Sequence, residues 1–165
     1  MAPGAVDSPT MAKLTVLGIG NLLMRDDGVG VRLLEAVRDA RVWPADVEFI
    51  DGGAGGLNLL GVIEDARRLV VFDAAAMGLA PGEFRILHPD QVRGETTGRI
   101  SLHDCPFLET LELTARFFRA PETTLLAIQV ALVERGRDLS PALTAALPAL
   151  ISPARELVEK ILAEN

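Results

Sequence analysis

The sequence predicts an α/β fold, a three-layer α/β/α sandwich with a twisted, mostly parallel central sheet. Short apolar segments rich in β-branched residues alternate with amphipathic segments along the chain, and this alternation is typical of a parallel sheet covered by helices on both faces. The length of 165 residues suits one domain, and the hydrophobic fraction of 49% excludes a disordered chain. We assign residues 1–12 to a flexible N-terminal tail and residues 13–165 to a single domain.

The first half of the domain alternates three predicted strands with two predicted helices. Residues 14–20 form a short apolar run that ends in glycine, which indicates a buried strand. Apolar residues at helical spacing predict a helix over residues 29–40. Residues 47–50 and 69–72 predict the second and third strands, and residues 57–66 predict the helix between them.

The middle of the chain is less regular. Residues 83–87 alternate polar and apolar side chains and predict a half-exposed strand at an edge of the sheet. Residues 89–100 are rich in charged residues, glycine and threonine and predict a mobile loop. A helix is predicted over residues 107–118, with Asp104 as its cap and Pro106 in its first turn.

The last part of the chain predicts one more strand and a long final helix. Residues 125–130 are apolar and β-branched, as in a buried strand. From Ser140 onward, leucine and isoleucine recur at helical spacing up to Leu162. Pro148 and Pro153 lie inside this pattern and are expected to kink or split the helix, because proline lacks an N–H and clashes with the preceding turn.

The charge balance and the residue counts exclude several classes of protein. The 16 Lys and Arg residues stand against 23 Asp and Glu residues, and the net charge of −7 argues against a nucleic-acid partner. A single cysteine excludes an internal disulfide and a cysteine-based zinc site, and indicates a cytoplasmic location. Residues 1–10 lack the features of a signal peptide, and no apolar run reaches about 18 residues, so we expect no membrane insertion. We also expect a monomer.

The loop after the first predicted strand carries two adjacent carboxylates, Asp26 and Asp27. Leu23 stands where a dinucleotide-binding fingerprint needs its third glycine, and the Gly-Lys-Ser/Thr ending of a P-loop is missing from this loop. Acidic residues at the start of a helix are stabilised by its dipole by about 0.3–1 kcal/mol. Taken alone, this segment therefore favours capping of the following helix.

Asp73 directly follows the third predicted strand, and His103 precedes the helix predicted over residues 107–118. Taken alone, Asp73 is either a ligand-binding carboxylate or a turn residue that accepts neighbouring amides, and a single histidine is more often a cap or a surface residue. Ligands of parallel sheets, however, bind at the carboxyl ends of the strands. One carboxylate of the first loop, Asp73 and His103 should meet at this edge and form an open site for a divalent metal such as zinc or nickel.

Three further polar residues, Asp51, His88 and Cys105, are candidates for a role in this site. Asp51 follows the second strand and precedes two glycines, so its loop should line a groove at the same edge of the sheet. His88 follows the predicted edge strand and is assigned no function. Cys105 would need His103 as its base to act as a nucleophile, and this thiol mechanism is not favoured.

These residues resemble those of the hydrogenase maturation endopeptidases, the HyaD/HybD/HupD-type proteases of NiFe-hydrogenases. The resemblance extends from about Lys13 into the last helix, and the paired acids, the later aspartate and the histidine at their spacing make it highly specific. The matching stretches, in chain order, are Leu17-Gly-Ile-Gly-Asn-Leu-Leu with Asp26-Asp27-Gly-Val-Gly-Val, Asp51-Gly-Gly with Gly55 and Leu59-Leu60, Val70-Val-Phe-Asp73-Ala, Pro81-Gly82, and Ser101-Leu-His103 with Leu108 and Leu111.

The resemblance implies a site and a task. Asp27, Asp73 and His103 take the positions of the family's metal-contacting and catalytic residues, and Asp26 stays an alternative for the first-loop ligand. The implied activity is that of an endopeptidase, aspartic-type or metal-dependent. It would remove the C-terminal extension of a nickel-loaded NiFe-hydrogenase large-subunit precursor during maturation.

The resemblance also implies that the cofactor involved is nickel, which is recognised on the substrate and bound transiently rather than held permanently. One aspartate, or a water polarised by the metal, would then take part in peptide hydrolysis. The alternative function is a non-cleaving, nickel-recognising binding or chaperone module for the same precursor.

Overall fold

The computed structural model describes residues 14–94 and 106–164. Five strands and five helices follow one another along this part of the chain, together with two 3-10 turns at Arg25–Gly28 and Leu57–Leu59. The strands and helices are β1 (Leu14–Gly18), α1 (Val29–Asp39), β2 (Val47–Asp51), α2 (Leu60–Asp65), β3 (Arg68–Ala75), β4 (Phe84–Leu87), α3 (Pro89–Arg93), α4 (Pro106–Phe117), β5 (Glu122–Gln129) and α5 (Pro141–Ala163).

The strands form one sheet in the order β2-β1-β3-β5-β4. β2, β1, β3 and β5 are parallel to one another, and β4 pairs antiparallel with β5 at the edge. The predicted edge strand over residues 83–87 is therefore confirmed. The mostly parallel sheet is confirmed as well, because helices α1 and α2 make the crossovers that parallel neighbours need.

Two apolar clusters cover the two faces of the sheet. On one face, α1 and α5 bury residues such as Leu33 and Val158 against Val70 and Phe72 of β3. On the other face, α2 and α4 bury a second cluster, with Ile63, Phe107 and Leu111, against Leu69 and Val71. Successive residues of β3 thus enter opposite clusters, as the alternation of side chains along a strand requires. The predicted three-layer sandwich is confirmed.

β3 is longer than the strand predicted over residues 69–72. Its pairing with β5 continues to Ala75, opposite Gln129. β1 ends earlier, because its last residue Gly18 lies opposite Phe72. Asp73 therefore lies inside β3, as the first residue beyond the end of β1, and the prediction that it follows the strand is wrong.

The mobile loop predicted over residues 89–100 is wrong in its first part, where α3 forms over Pro89–Arg93. Proline suits the first turn of a helix, and the side chain of Gln91 accepts a hydrogen bond from the backbone N–H of His88 at 2.7 Å. Residues 95–100 lie outside the described part of the chain, as do the predicted cap Asp104 and the N-terminal tail.

The split of the last helix at Pro148 and Pro153 is also wrong, because α5 is continuous from Pro141 to Ala163. The carbonyls that these prolines leave without an N–H partner belong to Thr144 and Ala149, the residues four positions earlier. Both residues are exposed, so their carbonyls can bond to water. None of the helices in the described ranges has the length and apolar character needed to cross a membrane.

Candidate active site

The order of the strands reverses around β1, which lies between β2 and β3. The helix that leads from β1 to β2 packs on one face of the sheet, and the helix that leads from β2 to β3 packs on the other. The carboxyl ends of β1 and β3 therefore form a topological switch point, where sheets of this class bind ligands. Asp27 follows β1, and Asp73 lies just beyond the point where β1 ends.

The segments that leave β1 and β2 remain joined beyond the strands. The backbone N–H of Gly52 donates to the carbonyl of Gly18 at 2.8 Å, and the N–H of Gly20 donates to the carbonyl of Gly53 at 2.8 Å. Asp51 ends β2 opposite Gly18, and its Oδ1 accepts the N–H of Gly53 at 2.9 Å. The predicted position of Asp51 at this edge is confirmed.

Two glycines allow the Asp27 loop to fold tightly against the sheet. Gly20 has a φ of 144°, and a Cβ at this position would lie 1.8 Å from the carbonyl oxygen of Asp27. A Cβ at Gly30, near the start of α1, would lie 2.2 Å from the carbonyl oxygen of Phe72. The start of α1 therefore contacts the backbone of β3 directly before Asp73.

Asp27 is half-buried, and its carboxylate is oriented by its own loop. Oδ2 accepts a hydrogen bond from the backbone N–H of Asn21 at 2.8 Å. The side chain of Asn21 in turn accepts the N–H of Leu23 at 2.9 Å. Among the described residues, no hydrogen bond to Oδ1 of Asp27 is found.

Asp73 is 8% exposed. Its Oδ1 accepts the N–H of the next residue, Ala74, at 2.8 Å, so the predicted contact with a neighbouring amide is present, within a strand rather than a turn. Strand alternation places Asp73 on the same face as Val71 and Ala75, which pack in the cluster of α2 and α4. The carboxylate is therefore on the α4 side of the sheet.

The first turn of α4 also lies at this edge of the sheet. A Cβ at Gly55, in the loop after β2, would lie 3.4 Å from Cβ of Phe107 and 3.0 Å from Cγ2 of Ile19. α4 therefore begins against the loops that follow β1 and β2. His103 precedes this turn in sequence, and both it and Cys105 lie outside the described residues.

Asp26 is fully buried and has other partners than Asp27. Its Oδ2 accepts the N–H of Ala131 at 3.0 Å, the N–H of Leu132 at 2.8 Å and the hydroxyl of Ser140 at 2.8 Å, while Oδ1 accepts the N–H of Ser140 at 2.7 Å. Burial alone would raise the pKa of the Asp26 carboxyl. The hydrogen bonds from Ser140, Leu132 and Ala131 outweigh burial and lower this pKa below its ordinary value.

The prediction that the paired carboxylates cap the following helix is wrong. α1 begins after Gly28 without a side-chain cap, and the 3-10 turn before it has none either. Ser140 is not among the predicted site residues, yet its hydroxyl oxygen caps α5 by accepting the N–H of Leu143 at 3.3 Å. A serine directly before the proline that begins a helix is a sequence signal for such a cap.

His88 lies away from these carboxylates. Its Nδ1 is 3.3 Å from the carbonyl oxygen of Thr123, near the start of β5. This contact lies at the amino ends of the parallel strands, because Thr123 pairs with Leu69 near the start of β3. Asp27 and Asp73 lie at the other ends of these strands.

Similarity to known proteins covers most of the chain. The family model HycI, hydrogenase maturation protease, matches residues 31–157. The chain belongs to the hydrogenase maturation protease family. The resemblance that the motifs indicate is thereby confirmed, and a protease role in hydrogenase maturation follows from it.

Individual relatives extend this similarity. The hydrogenase 2 maturation protease of Escherichia coli is 33% identical over 157 residues, which cover 93% of this chain and 92% of that protein. The hydrogenase expression/formation protein HoxM of Azotobacter vinelandii is 36% identical over 158 residues, 94% of this chain and 75% of its own length. The structure of the hydrogenase maturating endopeptidase HybD from Escherichia coli matches with a TM-score of 0.75 at 33% identity, covering 92% of this chain and 93% of that chain.

Proposed function

We propose that this chain removes the C-terminal extension of a NiFe-hydrogenase large-subunit precursor after nickel has been inserted. One observation carries the proposal. Asp27 and Asp73 lie at the switch point between two adjacent strands, in a chain of the maturation protease family. Open α/β sheets bind their ligands at this place.

We assign the first-loop contact to Asp27 rather than to Asp26. Both carboxylate oxygens of Asp26 already accept hydrogen bonds inside the protein, and the side chain is fully buried. Asp27 is half-buried and is bonded through Oδ2 to its own loop. A metal ligand needs a lone pair that can reach the metal, and Asp27 meets this condition better.

Nickel belongs to the substrate in this proposal. We propose that Asp27, Asp73 and His103 contact the nickel of the precursor. Two carboxylates and one imidazole suit a borderline divalent metal and leave its remaining positions to the precursor's own ligands.

The proposed reaction is hydrolysis of the peptide bond that joins the extension to the precursor. A water polarised by the substrate's nickel, or activated by one of the two aspartates, attacks the carbonyl carbon of this bond. The amine of the released peptide takes up a proton as the bond breaks. The orientation of the Asp27 carboxylate by the N–H of Asn21 supports this role, because a base must be held in place to act.

The test is incubation of purified precursor, with and without nickel, followed by mass spectrometry of the large subunit. We expect the nickel-loaded precursor to lose the mass of its extension. Asp27→Asn, Asp73→Asn and His103→Ala should each slow this loss by about 100-fold or more, the range for removal of an acid–base group. Asp65→Asn is the matched control, because Asp65 is an exposed acid at the end of α2, and it should process at the normal rate.

Two results would contradict the proposal in different ways. An unchanged mass together with a stable complex would show a nickel-recognising binding or chaperone module that does not cleave. Normal processing by Asp73→Asn would leave cleavage in place and refute the assignment of this residue.

A further inference from the structure

Asp26 is a fully buried carboxylate that the proposed hydrolysis does not use. It lies in the 3-10 turn directly before Asp27. In the described part of the chain, the donors to its carboxylate all belong to residues 131–140, the segment between β5 and α5. The carboxylate therefore joins two segments that are far apart in sequence, and one of them presents a proposed ligand.

Further bonds join the same two segments, and we call residues 23–26 and 131–140 together the loop junction. The N–H of Arg25 donates to the carbonyl of Gly136 at 2.9 Å, and the N–H of Gly136 donates to the carbonyl of Leu23 at 2.9 Å. Arg25 also forms an ion pair with Glu134 at 3.1 Å. Its φ of 47° is a conformation that residues other than glycine rarely adopt, so the junction holds this turn in a geometry that it would not keep alone.

We propose that Asp26 is a positioning residue: by binding residues 131–140, it holds the turn that presents the Asp27 carboxylate to the substrate. The role of Asp27 in this statement rests on the proposed function. The position of Asp27 depends on Asp26 because the two residues are adjacent in one short turn. If the Asp26 contacts open, the turn can rotate, and the bond from Asn21 N–H to Asp27 Oδ2 is lost with it.

Asp26→Asn is the sharpest perturbation, because it keeps the shape of the side chain. One of its two carboxylate oxygens becomes an NH₂ group, which donates hydrogen bonds and cannot accept them. Because both oxygens of Asp26 accept bonds from the loop junction, donors would then face donors and hydrogen bonds would be lost. The matched control is Val158→Ala, which shortens another fully buried side chain. Val158 lies on α5 about five helical turns from Ser140. The substitution Val158→Ala should therefore destabilise the fold without changing any contact of the loop junction.

The experiment measures amide hydrogen exchange by NMR in the full chain, without any substrate. In Asp26→Asn, the amides of Asn21 and Asp27 should exchange about tenfold faster or more than in Val158→Ala, since loss of one buried charged partner opens the site by that factor or more. If only the amides of Ala131, Leu132 and Ser140 exchange faster, Asp26 merely anchors the start of α5 and the proposal is wrong.

A second variant and a second measurement complete the design. If Asp26→Asn does not fold, Ser140→Ala removes one of the four donors to Asp26 and should still accelerate exchange at Asn21; no change there would overturn the proposal. With nickel-loaded precursor, Asp26→Asn should lower the processing rate while Val158→Ala keeps it. A wild-type chain that does not cleave would refute the proposed function. The exchange measurement at Asn21 uses no substrate, so it tests the positioning role of Asp26 independently of cleavage.

Discussion

Gly30 is the residue through which the start of α1 approaches β3. A Cβ at Gly30 would lie 2.2 Å from the carbonyl oxygen of Phe72 and 2.4 Å from that of Ile19. Both are backbone atoms, so no change of rotamer can relieve the overlap. Gly30→Ala should therefore lower the free energy of unfolding by about 1–3 kcal/mol, the usual cost of overpacking, although alanine favours the helix by about 0.5–1 kcal/mol. Urea denaturation measures this change.

Gly61 supplies the matched control for this prediction. It lies in α2, and a Cβ there would meet nothing within 4 Å. Gly61→Ala should raise the free energy of unfolding by about 0.5–1 kcal/mol, because only the helix preference of alanine acts. If Gly30→Ala were as stable as Gly61→Ala, close contact between α1 and β3 would not be what requires glycine at position 30.

The sequence locates the carboxyl edge of the sheet but does not distinguish between the two adjacent carboxylates of the first loop. Asp26 and Asp27 look alike in sequence: the loop taken alone favours helix capping by both, and the resemblance leaves either one open as the first-loop ligand. They differ because the partners of Asp26 lie 105 to 114 residues later in the chain, whereas the bond of Asp27 is to Asn21, six residues earlier. No local sequence pattern indicates contacts at such a separation along the chain. The burial of Asp26 therefore becomes evident only in the folded structure.

α5 contains two prolines in its interior, Pro148 and Pro153, and the exposed Pro148 should weaken the helix. Pro148 removes the hydrogen bond to the carbonyl of Thr144, and both residues are exposed. Pro148→Ala should restore this bond without disturbing the buried face, and should stabilise the protein by up to about 3 kcal/mol. A rise in Tm of about 2–4 °C for each kcal/mol is expected in calorimetry.

Pro141 is the control for the effect of proline in α5. It is the first residue of the helix and follows the cap Ser140, where proline is favourable and no intrahelical N–H bond is lost. Pro141→Ala should leave Tm unchanged or lower it. A drop in Tm for Pro148→Ala as well would mean that the prolines of α5 stabilise the protein through the unfolded chain rather than weaken the helix.

The sequence predicted the long elements well because their apolar side chains repeat with a clear period. Residues 29–40 and 47–50, for example, match α1 and β2 closely. The period says nothing about a helix too short to have an apolar face, and α3, with 5 residues and none of them buried, was missed for this reason. The predicted split of the last helix at its prolines was wrong for a different reason. The sequence does not show whether a carbonyl that proline leaves without a partner can bond to water.

The alternation of strands and helices along the chain predicts the three-layer sandwich and, with it, the edge of the sheet where ligands bind. A large protein substrate needs contacts beyond the carboxylates at this edge. Several large apolar side chains are exposed there: Leu57 after β2 is 69% exposed, and Val133 after β5 is 50% exposed. The loops that carry them leave the same ends of the strands as the loop of Asp27.

We therefore predict that Leu57→Ser and Val133→Ser weaken binding of the precursor. Each should raise KM by about 3- to 10-fold, corresponding to roughly 1 kcal/mol for a buried apolar contact in an interface. kcat should stay unchanged, since contacts far from the scissile bond are equally strong in the ground state and the transition state. Phe117→Ser is the matched control, because Phe117 is 73% exposed at the far end of α4, towards the opposite edge of the sheet. If KM were the same for Leu57→Ser, Val133→Ser and Phe117→Ser, the carboxyl edge would be excluded as the face that the precursor contacts. A fall in kcat for Leu57→Ser alone would place this side chain next to the reacting bond.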